Sequence, residues 1–217
     1  MTIKNEPNYL GDALKWEQEN LYSRDAVTVL SGENLAVGTV VGRLRIGTIT
    51  GAAAAGNTGD GTMGAVTAGN GIQAGVYQVT FIEPAANLGT FQVEDPDGAV
   101  IGTGVVAGAF AGEINFTIAD GAADFVAGDR FTVTVAEGTG KVKASPDVAA
   151  NGSEVAVGIL FAAVDATAAD KPGVIIARQA VVSEQGLVYD ASVNDAAKRA
   201  AKKVQLEAAG IQVREGA

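Results

Sequence analysis

The stretch of the chain that comes closest to a chemical motif is the glycine-rich run GAAAAGNTGDGTMGAV, residues 51–66. A nucleotide-binding phosphate loop follows the pattern G-x-x-x-x-G-K-[ST], and Gly51, Gly56 and Thr58 occupy three of its fixed positions. Asn57 stands where the pattern requires a lysine, and the glycines that follow disfavour the helix whose N-terminus would hold phosphate. The sequence therefore argues against a nucleotide cofactor, and we interpret the run as a flexible junction.

Acidic side chains are the other residues with chemical potential, since carboxylates bind calcium or act in pairs on glycosidic bonds. Asp95 lies two residues before Asp97, and Asp120, Asp124 and Asp129 follow in a later segment. No complete calcium-binding loop surrounds them, and no aromatic-rich stretch accompanies them to line a sugar cleft. We therefore expect these residues to cap turns or face solvent, and we predict no metal site and no catalytic residues.

The chain contains no cysteine and no histidine, which excludes disulfides, thiolate metal sites and catalysis by cysteine or histidine. Residues 1–20 lack the pattern of a signal peptide, and no apolar run reaches the roughly 18 residues of a membrane span. A net charge of −10 disfavours nucleic acid as a partner, because such binding depends on lysine and arginine. We expect a protein that is made in a cytoplasm, is not an enzyme and binds neither nucleic acid nor membrane.

The negative charge is concentrated in the middle of the chain. Residues 47–140 hold ten of the 25 acidic residues but only Arg130 of the 15 basic ones, together with 19 of the 29 glycines. This segment carries a net charge of −9, while the two flanks together carry −1. Such a change of composition predicts a separate domain of residues 47–140, inserted between residues 24–46 and residues 141–217.

The middle segment alternates apolar and polar residues with a period of two, as half-buried strands do. The alternation runs through GVYQVTFIE, GTFQVED, GEINFTIAD and DRFTVTVAE, at residues 75–83, 89–95, 112–120 and 129–137. The sequence DPDG at residues 95–98 suits a type I turn between two of them. We predict a small antiparallel β-sandwich of the immunoglobulin-like kind.

The flanks are also rich in predicted strands and end in a helix. Short apolar runs predict strands at residues 24–30, 38–46, 155–166, 173–182 and 186–190. Ser192 and Asp195 give an S-x-x-D capping signal for a helix whose end Gly210 can cap, and the strand IQVRE follows. The residues expected on the buried face of this helix are Val193, Ala197, Ala200 and Val204, with Lys198, Arg199, Lys202 and Lys203 facing solvent. The chain is thus predicted to be mainly β with one C-terminal helix.

Residues 1–23 place large apolar side chains among polar ones, and Pro7 and Gly11 prevent one long helix. These side chains are Tyr9, Leu10, Leu14, Trp16, Leu21 and Tyr22, and Trp16 is the only tryptophan of the chain. Tryptophan and tyrosine are favoured anchors of protein interfaces. A terminal segment of this composition either packs on its own domain or is kept for a partner, and the residues alone leave both possibilities open.

Both flanks resemble the lambda-type head decoration proteins of tailed bacteriophages and prophages, the capsid-stabilising protein D family. The resemblance lies in LGDALKWEQENLYSRDAVTVLSGENLAVGTVVGRL (residues 10–44), in AVGILFAAVDATAADKPGVIIARQAVV (residues 156–182), and in the helix with the closing AAGIQVRE. It covers residues 1–46 and 141–217 and contains no catalytic signature. It implies a small β-rich base, interrupted here by residues 47–140, because compact members connect GRLRI to GKVKA by a short turn.

The resemblance also implies a function. Members of this family form homotrimers that cap three-fold and quasi-three-fold sites outside an expanded head and stabilise it. Their N-terminal arm becomes ordered on the major capsid protein, often by adding a strand to a sheet. On this chain the resemblance assigns residues 1–23 as the capsid-binding arm, with Tyr9, Leu14 and Trp16 as its main anchors. The expected partners are the major capsid protein and further copies of the chain, and the expected location is the outer surface of the virion.

The residues leave two alternatives open. In the first, the middle segment is an adhesin or glycan-binding module on the virion or tail, and the flanks only anchor it. In the other alternative, which we rank below the first, the chain is an enzyme acting through Asp95 or Asp97. Under the leading interpretation we expect residues 47–140 to project outward from the head as a knob.

Overall fold

The computed structural model describes residues 9–86 and 88–215 and separates into two compact units. Unit 1 comprises residues 1–44 and 140–217, and unit 2 comprises residues 45–139. Strands dominate both units, and the helix Ala196–Ala208 is the only one longer than four residues in the described part of the chain. The predicted fold class, mainly β with one C-terminal helix, is confirmed. The assignment of unit 2 as an inserted immunoglobulin-like domain stays a prediction.

The elements follow one another in three groups. The N-terminal group of unit 1 is α1 (Leu10–Ala13), β1 (Leu14–Glu17), α2 (Asn20–Ser23), β2 (Arg24–Val29), β3 (Asn34–Leu35) and β4 (Val40–Arg43). Unit 2 contains β5 (Ile46–Ala53), β6 (Thr62–Met63), β7 (Thr67–Ala68), β8 (Gly75–Ala85), β9 (Leu88–Glu94), β10 (Val100–Val105), β11 (Ala109–Ala111), β12 (Ile114–Ala119) and β13 (Arg130–Glu137). The C-terminal group of unit 1 is β14 (Val142–Ala144), β15 (Ala156–Leu160), β16 (Val164–Asp165), β17 (Lys171–Ile176), β18 (Ala180–Ser183), α3 (Ala196–Ala208) and β19 (Ile211–Arg214).

Five strands of unit 1 close into a barrel in the order β14-β2-β17-β15-β4. Neighbouring strands are antiparallel except for β14 and β2, which are parallel. Apolar side chains fill the interior, among them Val29, Val41, Leu160 and Ile175, which are almost fully buried. Because a closed barrel leaves no free strand edge, its backbone hydrogen bonds are satisfied within the unit.

A second sheet of unit 1 has the order β1-β18-β19, with β1 antiparallel and β19 parallel to β18. It shares a core with the barrel and α3, and this core includes Ala13, Ile159, Val182, Leu206 and Ile211. The described residues near both ends of the chain therefore contribute to one hydrophobic cluster.

Three strand predictions for unit 1 are wrong. The run at residues 155–166 forms two strands, β15 in the barrel and β16 in a separate pair with β3. The run at residues 173–182 forms two strands, β17 and β18, because Gln179 adopts a left-handed conformation with φ 48° and the chain passes from the barrel to the second sheet. The run at residues 186–190 forms no strand. Val188 makes a single bridge beside Thr39, donating its N–H to Gly38 O at 3.0 Å and accepting from Val40 N at 2.9 Å.

The predicted orientation of α3 is also wrong. Its N-cap is Asp195, which accepts a hydrogen bond from Lys198 N at 2.9 Å, while Ser192 lies in the preceding turn with Asp190. Within the helix the buried residues are Lys202 and Leu206. Of the predicted face, Val193 is buried before the helix begins, whereas Ala197, Ala200 and Val204 are exposed. Gly210 follows the helix with φ 80°, as expected for a C-terminal cap.

Unit 2 consists of two sheets around one aromatic core. The larger sheet has the order β10-β9-β8-β13-β5 and is antiparallel throughout, and the smaller has the order β11-β12-β6, with β7 also pairing β12. The core contains Tyr77, Phe81, Phe91, Phe110, Phe116, Phe125 and Phe131. Phe81 and Phe125 stack with their centroids 4.1 Å apart. The four strands expected from alternation correspond to β8, β9, β12 and β13, since alternate residues of each face the core.

The glycine-rich run at residues 51–66 is not the flexible junction we predicted. It begins as the end of β5 and continues into a loop inside unit 2. Asn57 Nδ2 donates to Arg130 O at 2.8 Å, and Asn57 Oδ1 accepts from Arg130 N at 2.9 Å. The N–H groups of Thr58 and Gly59 each donate to the Asp129 carboxylate at 2.9 Å. The backbone donors that a phosphate would need are thus already used to close the loop.

Two acidic residues of unit 2, Asp95 and Asp129, close turns or loops, as expected. Asp95 Oδ1 accepts from Asp97 N at 3.0 Å and from Ala99 N at 2.8 Å, which closes the DPDG turn before β10. Asp129 also accepts from Val126 N at 3.0 Å. Burial alone would raise the pKa of Asp129, but its three backbone N–H donors outweigh that effect and hold the pKa below its usual range.

Candidate functional site

The candidate site is the surface of residues 9–23, which we call the arm. Residues 1–8, the remainder of the predicted capsid-binding segment, lie outside the described residues. The arm begins at Tyr9, whose N–H donates to Asp12 Oδ2 at 2.9 Å and opens the single turn α1. β1 then pairs with β18, and Gln18 N donates to Gln179 O at 3.0 Å before the turn α2. The arm is therefore bound along its own unit.

Ala13 is the residue that seats the arm. Its side chain is fully buried, and its backbone lies so close to Gly186 that a Cβ there would come within 2.5 Å of Ala13 N and Cα. A Cβ on Gly38 would come within 3.2 Å of Ala13 Cβ and 2.3 Å of Gly186 O. The arm can pack this closely at Ala13 because Gly38 and Gly186 have no side chains.

The six predicted site residues fall into two groups. Leu10 and Leu14 are partly buried and pack against the core cluster that contains Ala13. The other four are exposed: Tyr9 by 64%, Trp16 by 53%, Leu21 by 94% and Tyr22 by 55%. The structure therefore brings the first group into the core of unit 1 and leaves the four side chains of the second group exposed to solvent.

An ionic network braces the second half of the arm. Glu17 accepts hydrogen bonds from Ser23 Oγ at 2.8 Å and from Arg24 Nε at 3.0 Å, and also forms an ion pair with Arg24 Nη2. Hydrogen bonding from Arg24 holds the pKa of Glu17 below its usual value, against the opposing effect of burial. The Arg24 guanidinium lies 3.9 Å from the centroid of the Phe161 ring, which connects the network to the barrel side of the unit.

A second cation fixes the end of the arm. Arg178 Nη2 donates to both carboxylate oxygens of Asp25, at 2.8 and 2.7 Å, and Arg178 Nη1 donates to Tyr22 O. The same guanidinium lies 5.8 Å from the centroid of the Tyr22 ring. Arg178 therefore fixes the backbone at Tyr22 and lies near its exposed ring.

Sequence reasoning found the apolar residues of the arm but missed those that hold them. Glu17 and Arg24 carried one usable signal, since they are opposite charges only seven residues apart. Arg178 and Gly186 carried none, because both lie more than 150 residues along the chain from the arm residues they contact. In residues 9–86 and 88–215 no group of acidic residues is arranged to hold a metal ion. No helix within these ranges is long and apolar enough to cross a bilayer.

Comparison with known proteins gives one informative match. The family model described as bacteriophage lambda head decoration protein D matches residues 3–211. No curated protein matches the chain. Two crystal structures of Xanthomonas campestris FlgL, in space groups H3 and C2, are similar at 24% identity, with TM-scores of 0.34 and 0.33. They cover 48% and 44% of this chain, which spans only 33% and 31% of theirs, and so weak a likeness carries no argument.

Proposed function

The chain belongs to the bacteriophage lambda head decoration protein D family, and from this premise we propose that it binds the outside of a tailed-phage head as a trimer and stabilises the expanded capsid. Membership implies a head protein of the virion. Binding at three-fold and quasi-three-fold sites, through the arm and onto the major capsid protein, is the finer part of the proposal. The observation that carries it is the exposed apolar surface of Tyr9, Trp16, Leu21 and Tyr22.

This surface has the properties of a binding anchor. Large aromatic side chains contribute most to interfaces when they enter pockets of a partner. Here they project from a backbone already fixed by the β1–β18 pairing and by the Glu17–Arg24 ion pair. A surface held in place before binding avoids the entropic cost of ordering it, so more of the contact energy appears as affinity.

The backbone of β1 offers a second mode of attachment. Among the described residues β1 is the outer strand of its sheet, with β18 on one side only. A strand of the capsid protein could pair with the other edge, with Trp16 on the outward face providing specificity. This geometry supports strand addition, which the family resemblance also implies.

Trimer formation would multiply a modest affinity per arm. Once one arm of a trimer is bound to the head, the other two arms are held near it at a high effective concentration. A trimer bound through all three arms would connect neighbouring capsid subunits, which is how a small protein can stabilise a large shell. We propose no catalytic role.

No specific observation favours the glycan-binding alternative for unit 2. Sugar sites that rely on ring stacking need exposed aromatic side chains. The seven aromatic rings of residues 45–139 are all buried in its core, with at most 6% exposure. A glycan site here would have to form without ring stacking.

The test is cosedimentation of the full chain with expanded heads that lack it. Deleting residues 2–23 is unsuitable, because it removes Ala13, Leu10 and Leu14 from the core. The double variant Trp16→Ala/Leu21→Ala changes only exposed side chains, and we expect it to bind heads at least about tenfold more weakly. The control is Val148→Ala/Val204→Ala, which removes apolar side chains of unit 1 that are 82% and 64% exposed but lie outside the arm.

Sedimentation mass should be measured for the same variants. We expect the parent and both variants to be trimers. If the arm variant binds heads as tightly as the control, the arm is not the capsid anchor. If it loses the trimer instead, the exposed surface belongs to the contact between copies, and its assignment to the capsid is wrong.

A further inference from the structure

The outer strand β10 of unit 2 has an unprotected edge. In the described part of the chain it pairs with β9 alone, in regular register from Gly102 to Val105. Its sequence, VIGTGV, contains no charged residue and no proline. Natural sheets protect exposed edges with lysine, proline or a covering segment, because free N–H and C=O groups pair readily with another strand.

The opposite edge of the same sheet is formed by β5, which among the described residues pairs with β13 alone. Met63 and Val66 pack on the face of β5, since a Cβ on Gly51 would come within 2.7 Å of Met63 Sδ and 3.3 Å of Val66 Cγ2. The two edges differ in their apolar side chains: β5 has no large apolar side chain that is exposed, whereas β10 has Val100 and Val105. An incoming strand would therefore bury more apolar surface at β10 than at β5.

The two faces of β10 differ. On the inner face, Gly102 and Gly104 lie directly against aromatic rings and leave no room for a side chain. A Cβ on Gly104 would come within 2.4 Å of the Phe91 ring, and one on Gly102 within 3.1 Å of the Phe110 ring. At the two ends of the strand, Val100 and Val105 are 57% and 48% exposed. The strand thus lies flat on the aromatic core and leaves an apolar side chain at each end for an incoming strand to cover.

The charge of unit 2 indicates which kind of strand can pair with β10. Unit 2 contains ten acidic residues and two basic ones, Arg45 and Arg130. Pairing β10 with the same strand of a second copy would bring two strongly acidic units together, which is unfavourable. Exposed Asp97 lies in the turn just before β10. An incoming strand would therefore meet a carboxylate at that end.

We propose that the β10 edge accepts an extended segment of another protein by strand addition, with apolar residues beside Val100 and Val105 and a lysine or arginine beside Asp97. This site is independent of the arm, so its failure would leave the proposed head binding intact. It would give unit 2 a function in recruiting or contacting a second protein.

The experiment uses the full-length chain and a labelled synthetic peptide, Lys-Val-Thr-Val-Thr-Val, with Glu-Val-Thr-Val-Thr-Val as its control. Binding is measured by fluorescence anisotropy, and its location by amide hydrogen exchange. We expect the lysine peptide to bind and to slow exchange in β10. Thr103→Lys places a charge at the centre of the edge and should weaken binding about tenfold or more. Thr134→Lys places the same charge on β13, at an exposed position inside the sheet, and should not.

Four results would overturn the proposal. The first is no binding of the lysine peptide, and the second is equal binding of the glutamate peptide. The third is that Thr134→Lys weakens binding as much as Thr103→Lys. The fourth is concentration-dependent protection of β10 without peptide, which would mean that a second copy occupies the edge.

Discussion

Replacing Gly186 with alanine should release the arm from its seat. Gly186 is buried and does not have a positive φ, so alanine is compatible with its backbone and any effect is steric. The new Cβ would lie 2.5 Å from Ala13 N, Ala13 Cα and Asp12 C, where ordinary contacts are about 3.5–4.0 Å. Because these are backbone atoms, the arm must move by roughly 1 Å or detach.

The free energy of the change can be bounded from both outcomes. Forcing extra atoms into a packed core typically costs about 1–3 kcal/mol. Detachment would expose Ala13 and the half-buried Leu10 and Leu14, and half of a leucine's burial energy is about 1 kcal/mol, so the sum with Ala13 is roughly 3 kcal/mol. The protein adopts the cheaper outcome. We therefore expect Gly186→Ala to lower the free energy of unfolding of unit 1 by about 1–3 kcal/mol.

The assay combines denaturant unfolding with trypsin cleavage at Lys15 under native conditions. Lys15 lies in β1, so its cleavage reports release of the arm. Gly11→Ala is the matched control, since it adds the same methyl group to the same arm, where nothing lies within 4 Å. If Gly186→Ala and Gly11→Ala unfold within about 0.5 kcal/mol of each other and are cleaved at the same rate, the steric argument is wrong.

Three further predictions concern other buried or ionic contacts. The pKa of Glu17 is held low in the folded chain by Arg24, so its contribution to stability is present above the usual carboxyl value of 4.5 and is lost as pH falls through the folded pKa. The fluorescence of Trp16, the only tryptophan, should change in that acidic range. Glu17→Gln should abolish this change. Lys202→Met should destabilise unit 1 by about 2–4 kcal/mol in denaturant unfolding, because its buried ammonium donates to Ser145 Oγ, Pro146 O and Glu154 O. Lys198→Met, which removes partly exposed ion pairs to Asp147 and Asp195 and hydrogen bonds from Nζ to Ser192 O and Asn194 Oδ1, should cost less than about 1 kcal/mol. Asp129→Ala should lower the calorimetric melting temperature of unit 2, since the N–H groups of Thr58, Gly59 and Val126 lose their acceptor, and an unchanged transition would contradict this reading of the loop.

The strands were predictable where the pattern is local. β13 alternates buried and exposed residues from Phe131 to Val135, and the sequence RFTVTVAE contains the same alternation. The DPDG turn was predictable for a similar reason, because Asp95 bonds to residues two and four positions away. By contrast, the break between β17 and β18 falls at Gln179, and neither glycine nor proline stands there to mark it in the sequence.

The apolar composition of the arm is a property of the sequence, and it identified Tyr9, Leu10, Leu14, Trp16, Leu21 and Tyr22 as a group. Only the tertiary structure divided this group, because a side chain is buried by the segments that fold against it. Leu10 and Leu14 meet the core of unit 1 beside Gly186, while Trp16 and Tyr22 meet solvent. The same reason explains Lys202, which a helical pattern places among solvated lysines and which is buried because the acceptors of residues 145–154 fold over it.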